Sequence, residues 1–167
     1  DASSSAFFVV AGCVVPGSAV TVERVCLNPG RVGFLDVLER MGARLDVRPR
    51  GESAGESFGD ITVSASELRA TVITPDEVPS CIDELPVLAV AAAAATGHTV
   101  ISGAEELRVK ESDRIATVAA MLRELGVAVT ERPDGLIIEG VGAGRRLRGG
   151  RTVVSAGDHR IAMAGGV

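Results

Sequence analysis

The residues able to do chemistry concentrate in one segment, Glu105-Glu106-Leu107-Arg108-Val109-Lys110-Glu111-Ser112-Asp113-Arg114. It holds the single lysine of a chain whose other sixteen basic side chains are all arginine, and it sets that lysine among four carboxylates and two arginines. Arginine presents a planar fork that matches carboxylate or phosphate oxygens in pairs; lysine is a compact charge on a flexible stem that can approach reacting oxygens. The segment reads either as a site that holds an anion and moves protons, or as a solvated turn whose acids and bases lace a helix start. Three further acids, Asp1, Asp83 and Asp158, each open a helical stretch. If those three starts converge, their free N–H groups and dipoles make one spot suited to phosphate or carboxylate.

Composition narrows the function classes. The 167 residues suffice for one ordinary domain or parts of two, and 46% hydrophobic with 23% charged residues exclude disorder. Four Phe, no Tyr and no Trp demand an aliphatic core and leave little to stack on bases. A net charge of -5 likewise opposes a nucleic-acid partner, because phosphate affinity comes from surplus Lys and Arg. Cys13, Cys26 and Cys81 stand far apart without a Cys-x-x-Cys pair, so buried thiols, a reducing cytoplasmic compartment and no zinc site are expected. The longest run free of polar side chains, Leu85 to Ala95, is too short to span a bilayer, and no membrane partner is expected.

Elements that must position these groups follow from periodicity. Asp1 to Ser5 precede the apolar stretch Ala6 to Val15 as a capped helix start does, and Val20 to Val25 alternates like a strand. Val32 to Met41 carries apolar residues at helical spacing and stops at Gly42. Ala43 to Val47 reads as extended, Arg48 to Phe58 as a surface hairpin or a crossing between lobes, and residues 60–64 and 68–73 as strands. After a turn over residues 74–80, Ile82-Asp-Glu-Leu-Pro86 opens a helix that is apolar on every side and therefore buried all round. A strand over residues 99–102 leads into the charged segment, and Ser112 or Asp113 caps the next helix, whose inward face is Ile115, Val118, Ala119, Leu122 and Leu125. A hairpin turns about Pro133-Asp-Gly135, residues 152–155 read as a strand, and Asp158 begins a last helix. Leu38 to Leu45 repeats in pattern at Leu122 to Val129, each a helix end, a glycine and a strand, with a period of about eighty residues.

Four segments together resemble 5-enolpyruvylshikimate-3-phosphate (EPSP) synthases: Asp1-Ala-Ser-Ser, Ile82-Asp-Glu-Leu-Pro-Val-Leu88, Glu106-Leu-Arg-Val-Lys-Glu-Ser-Asp-Arg114 and Asp158-His-Arg-Ile-Ala-Met163. The resemblance runs the whole length. It implies an α/β (α+β) fold of βαβαββ units with buried helices and outer sheets, in two lobes. Residues 1–46 are then expected to end one lobe and residues 47–167 to form most of the second, with both ends of the chain internal to a longer one. The activity implied is transfer of the enolpyruvyl group of phosphoenolpyruvate to the 5-hydroxyl of shikimate 3-phosphate, without metal or organic cofactor, by a parent expected to be a monomer. By matching position, Asp83 is the acid/base at the 5-hydroxyl and Glu111 the proton donor to the methylene carbon. Lys110 and Ser4 match contacts to shikimate 3-phosphate, and Arg114 and Arg160 match grips on phosphoenolpyruvate. Capping or ion pairing is the structural alternative for several of these residues: Asp83 and Ser4 as helix caps, and Glu111 as the partner of Lys110 or Arg114, a pairing compatible with its role. The alternatives are a non-catalytic anion-binding or folding module, and the related transferase acting on UDP-N-acetylglucosamine.

Overall fold

The computed structural model describes residues 1–167. The chain begins with helix α1 (Ala2–Val14), strand β1 (Ala19–Cys26), helix α2 (Gly33–Arg40) and the long hairpin of β2 (Arg44–Ser53) and β3 (Glu56–Ser64). It continues through a short strand β4 (Val72–Ile73), a single helical turn α3 (Val78–Cys81), helix α4 (Leu85–Ala94) and strand β5 (Thr96–Ile101). A 3-10 turn over Glu105–Val109 then leads into helix α5 (Arg114–Glu124), the hairpin of β6 (Ala128–Arg132) and β7 (Gly135–Val141), and helix α6 (His159–Gly166). Two sheets result, one ordered β1-β3-β2 and antiparallel, the other ordered β4-β5-β7-β6 with only β4 parallel to its neighbour. Helix α4 is buried along almost its whole length and α1 over most of it, while α2, α5 and α6 keep exposed faces.

The repeat expected from the sequence is visible in backbone hydrogen bonds. At the end of α2 the Gly42 N–H donates to Glu39 O and the Ala43 N–H to Leu38 O; at the end of α5 the Gly126 N–H donates to Arg123 O and the Val127 N–H to Leu122 O. This is the same left-handed helix stop twice, and Gly42 (φ 91) and Gly126 (φ 84) occupy the position that a side chain would strain. Each stop turns the chain directly into a strand, β2 or β6.

One core serves the whole molecule. Val9 and Val10 of α1, Phe34 and Leu38 of α2, Val87, Leu88 and Ala91 of α4, Ile115 and Leu122 of α5 and Ile161 of α6 all belong to a single buried cluster. Helix α4 is buried from Leu85 to Ala93 without interruption, as its all-round apolar sequence requires. The lobe crossing expected between residues 46 and 47 falls inside β2, which pairs with β3 from Arg44 to Ser53, and the core continues on both sides of it.

Three local readings differ from expectation. Residues 68–73 form only the two-residue strand β4 plus one bridge from Arg69 to Thr96, because their N–H groups go to scattered acceptors such as Met41 O. Residues 152–155 adopt no strand and leave Val154 exposed. The turn expected over residues 74–80 closes with the helical turn α3. No helix is long and apolar enough to cross a membrane.

Candidate active site

Three of the helices start at one place. The Asp1 side chain caps α1 by accepting from the Ser3 and Ser4 N–H groups, and the Asp158 side chain caps α6 by accepting from the Arg160 N–H at 2.9 Å. The start of α4 lies between them, since Ser3 lines one cleft of about 220 Å³ with Asp83 and Glu84, and Arg160 reaches both of those carboxyls. The fourth contribution comes from the charged segment, which the 3-10 turn and the start of α5 carry to the same point.

Arg114 is the hub. Its guanidinium is 1% exposed, and each of its nitrogen positions meets a different carboxylate. Nε donates to Asp158 Oδ2 at 2.7 Å, Nη1 to Asp83 Oδ1 at 3.3 Å and Nη2 to Glu111 Oε2. Asp83 in turn bridges two arginines, its Oδ2 lying 3.2 Å from Arg160 Nη2 while its main-chain oxygen accepts from Arg160 Nη1 at 3.2 Å. Buried charges persist only where such pairing replaces lost water. Asp158, fully buried, shows the balance: burial pushes its carboxyl up, but the bonds from Arg114, the Arg160 N–H and the Ser112 hydroxyl outweigh that and hold it below the ordinary aspartate range.

The candidate residues thus divide. Asp83, Glu111, Arg114 and Arg160 are joined by direct contacts. Asp83 is not a helix cap: the N-cap position of α4 is Glu84, and no side chain caps that helix. The Lys110 ammonium turns to Glu106 in an i,i+4 pair, one residue from Glu111 but bonded away from it. The Ser4 hydroxyl donates to Asp1 Oδ2 at 2.6 Å, which is the capping arrangement. Other charges of the segment fasten it in place. Arg108 donates to Asp113, Glu131 and the main-chain oxygens of Pro133 and Arg132, clasping the 3-10 turn to the β6–β7 hairpin. Asp113, not Ser112, caps α5 through the Ala116 N–H at 3.0 Å.

Sequence reasoning passed over Glu84. It is 3% exposed, one oxygen lacks a hydrogen-bond partner, and burial raises its carboxyl above the ordinary glutamate range against lowering by the Ser3 hydroxyl and Arg160. Nothing local marks it, because two acids in succession at a helix start read as solvated.

The family model for EPSP synthase (3-phosphoshikimate 1-carboxyvinyltransferase) matches residues 1–167. The chain belongs to the EPSP synthase family. Among curated relatives, the 3-phosphoshikimate 1-carboxyvinyltransferase of Shouchella clausii is 52% identical over 164 residues, and that of Leuconostoc mesenteroides is 49% identical over 163 residues. Each alignment takes in 98% of this chain but 37% of the relative, so the chain spans a little over a third of the EPSP synthases it matches. The solved EPSP synthase from Acinetobacter baumannii superposes with a TM-score of 0.92 at 44% identity, covering 98% of this chain and 38% of that one. The enolpyruvyl transferase NikO from Streptomyces tendae, at 22% identity and a TM-score of 0.64, shares the fold over 99% of this chain and 36% of its own. The buried-helix, outer-sheet arrangement of this chain is that of the EPSP synthase family.

Proposed function

We propose that the longer protein to which this chain corresponds transfers the enolpyruvyl group of phosphoenolpyruvate to the 5-hydroxyl of shikimate 3-phosphate, releasing phosphate. The observation that carries the reading is the junction of Arg114 and Arg160 through Asp83, with Glu111 on the other edge of Arg114. Two guanidiniums whose forks are occupied by carboxylate oxygens are arranged to take carboxylate or phosphate oxygens of a ligand in the same directions. In this reading Arg114 and Arg160 grip phosphoenolpyruvate, Asp83 takes the proton of the attacking hydroxyl, and Glu111 gives a proton to the methylene carbon. The carbon–oxygen bond forms as the double bond becomes a methyl group. In the second step a methyl proton is lost and the carbon–oxygen bond to phosphate breaks, which restores the double bond. Lys110, released from Glu106, and Ser4, released from Asp1, contact shikimate 3-phosphate. Catalysis then consists of positioning two anions and supplying proton carriers, with no cofactor involved.

The charge balance at the site supports assigning turnover to the longer protein alone. Asp83, Glu84, Glu111 and Asp158 are paired with only two guanidiniums, and Arg31 lies across the cleft, so holding two further anions calls on Lys110 and on cations from outside residues 1–167. For the isolated chain the second reading, a folded module without turnover, is favoured by the same balance. The shared core supports reading residues 1–167 as one body of the parent, with the lobe crossing elsewhere.

The test offers phosphoenolpyruvate with either shikimate 3-phosphate or UDP-N-acetylglucosamine to the longer protein and to the 167-residue chain, and measures phosphate release. Release is expected only from the longer protein with shikimate 3-phosphate. Release with the sugar nucleotide, or with neither acceptor, would overturn the reading, and turnover by the 167-residue chain would overturn the division of labour.

A further inference from the structure

We propose that Glu84 is a positioning residue for Arg160: it is the buried carboxylate on which Arg160 Nη1 settles when the guanidinium turns from Asp83 to an incoming anion. The inference deepens the reading above and rests on Arg160 gripping that anion. As the structure stands, Arg160 is spent on Asp83, with Nη2 3.2 Å from Oδ2 and Nη1 3.2 Å from the main-chain oxygen. Both Asp83 oxygens are engaged, Oδ1 by Arg114 and Oδ2 by Arg160. Freeing Asp83 requires Arg160 to find another anionic partner, and one lies directly beside it.

Glu84 Oε1 is 3.9 Å from Arg160 Nη1, within ion-pair range but too far for a hydrogen bond, and it has no hydrogen-bond partner. A buried oxygen without a donor is costly, so the fold keeps Glu84 Oε1 there at some expense in stability. A shift of about 1 Å by the guanidinium closes the gap to hydrogen-bonding distance and satisfies that oxygen. The groups around Glu84 are few: Arg160 from α6, the Ser3 hydroxyl from α1, Asp83 beside it in the chain, Cys81 at the end of α3, and Arg31 across the cleft. Arg160 is the only one of them in salt-bridge range.

A protonated Glu84 is the weaker anchor for a cation, and burial favours that form. Closing the 3.9 Å gap forms a charge-assisted hydrogen bond that Glu84 makes at full strength only when ionised and only once the guanidinium has turned to the anion, and that bond sets the sign of the effect. Anion binding at Arg160 therefore strengthens as pH rises through the raised Glu84 titration. Asp83 and Glu111 are common to the parent and a Glu84→Gln variant, as is the ligand's own ionisation, so the difference between the two isolates Glu84.

The experiment titrates inorganic phosphate into the 167-residue chain and its Glu84→Gln variant between pH 5 and pH 7.5, following the Arg160 side-chain Nε–H resonance by NMR. The parent is expected to gain about tenfold more affinity across that range than the variant, the effect of one hydrogen bond to a charged group. Identical pH dependence in both proteins, or no phosphate-dependent shift at Arg160, overturns the proposal. If the variant does not fold, the parent alone decides, because its Arg160 resonance must then follow a carboxyl titrating above the ordinary glutamate range. In the longer protein, Glu84→Gln should raise KM for phosphoenolpyruvate several-fold with kcat within about twofold. A purely structural role would lower both thermal stability and kcat and leave the KM ratio independent of pH. Absence of turnover in the unmodified longer protein would refute the enolpyruvyl reading, while the phosphate titration would still judge Glu84.

Discussion

Arg114→Met removes the hub while keeping much of its length and apolar packing. The strongest interaction it abolishes is the 2.7 Å bond from Nε to Asp158, made between a guanidinium 1% exposed and a carboxylate that water does not reach. Removing one partner of such a pair leaves an uncompensated buried charge, at a cost of about 3–5 kcal/mol. Asp158 keeps the Ser112 hydroxyl at 3.1 Å and the Arg160 N–H at 2.9 Å, which places the expected destabilisation near the lower end, about 3 kcal/mol. The bonds to Asp83 and Glu111 add little, because those carboxylates are 34% and 53% exposed and water screens them. The destabilisation should also depend on pH. In the parent, Asp158 is held below its unfolded value, so its contribution is fully present above that value, roughly pH 3.9, and is lost as pH falls through the folded one. Without Arg114, burial dominates and Asp158 rises above the unfolded value, so on acidification from pH 7 toward pH 5 the variant recovers more stability than the parent, in which burial raises Glu84 but not Asp158. Urea unfolding of the 167-residue chain followed by circular dichroism measures both effects. A difference below about 1 kcal/mol at pH 7, or one unchanged between pH 7 and pH 5, would refute the view of Arg114 as a buried, paired charge.

Other outcomes follow from the same ion pairs and caps. Lys110→Ala breaks a pair to a largely exposed Glu106 and should change stability by under about 1 kcal/mol in the same unfolding assay, a direct contrast with Arg114. Asp113→Ala removes both the α5 cap and the Arg108 ion pair, and a destabilisation of about 1–2 kcal/mol is expected; unchanged stability would show that the 3-10 turn is held without them. Burial pushes the Cys13 thiol up to about 11 and that of Cys81, flanked also by Glu84 and Glu77, up to about 12. Iodoacetamide at pH 8 should therefore label Cys26 first in the folded chain, with the other two reacting only in urea, as read by peptide mass mapping.

Much of the fold was legible in the sequence for identifiable reasons. Gly42 and Gly126 announce the repeat because only a left-handed stop needs them, and Leu85 to Ala95 announces a fully buried helix because no polar face is available. The acids marked three helix starts without saying that they meet; in the structure Asp83, Glu111, Arg114 and Arg160 are in direct contact, while Lys110 turns aside to Glu106. What the sequence could not show is where competing partners pull a side chain. Lys110 and Ser4 have local partners, Glu106 and Asp1, within four residues, and local pairs win wherever no ligand competes. Glu84 owes its burial to α1 and α6, which lie far away in sequence, and no periodicity records that. Glycine, serine and charge over residues 48–58 allow either a surface hairpin or a crossing between lobes, and the backbone forms the hairpin, pairing β2 with β3 across the segment.

The central claim is that two guanidiniums hold the anions while Asp83 and Glu111 carry protons. Steady-state kinetics of Asp83→Asn and Glu111→Gln in the longer protein test it most directly. Both variants keep shape and hydrogen-bonding capacity but cannot exchange a proton at that position, so each should lower kcat by at least about a hundredfold with KM for phosphoenolpyruvate within a few-fold. A near-normal kcat in either variant, or an effect confined to KM, would contradict the claim.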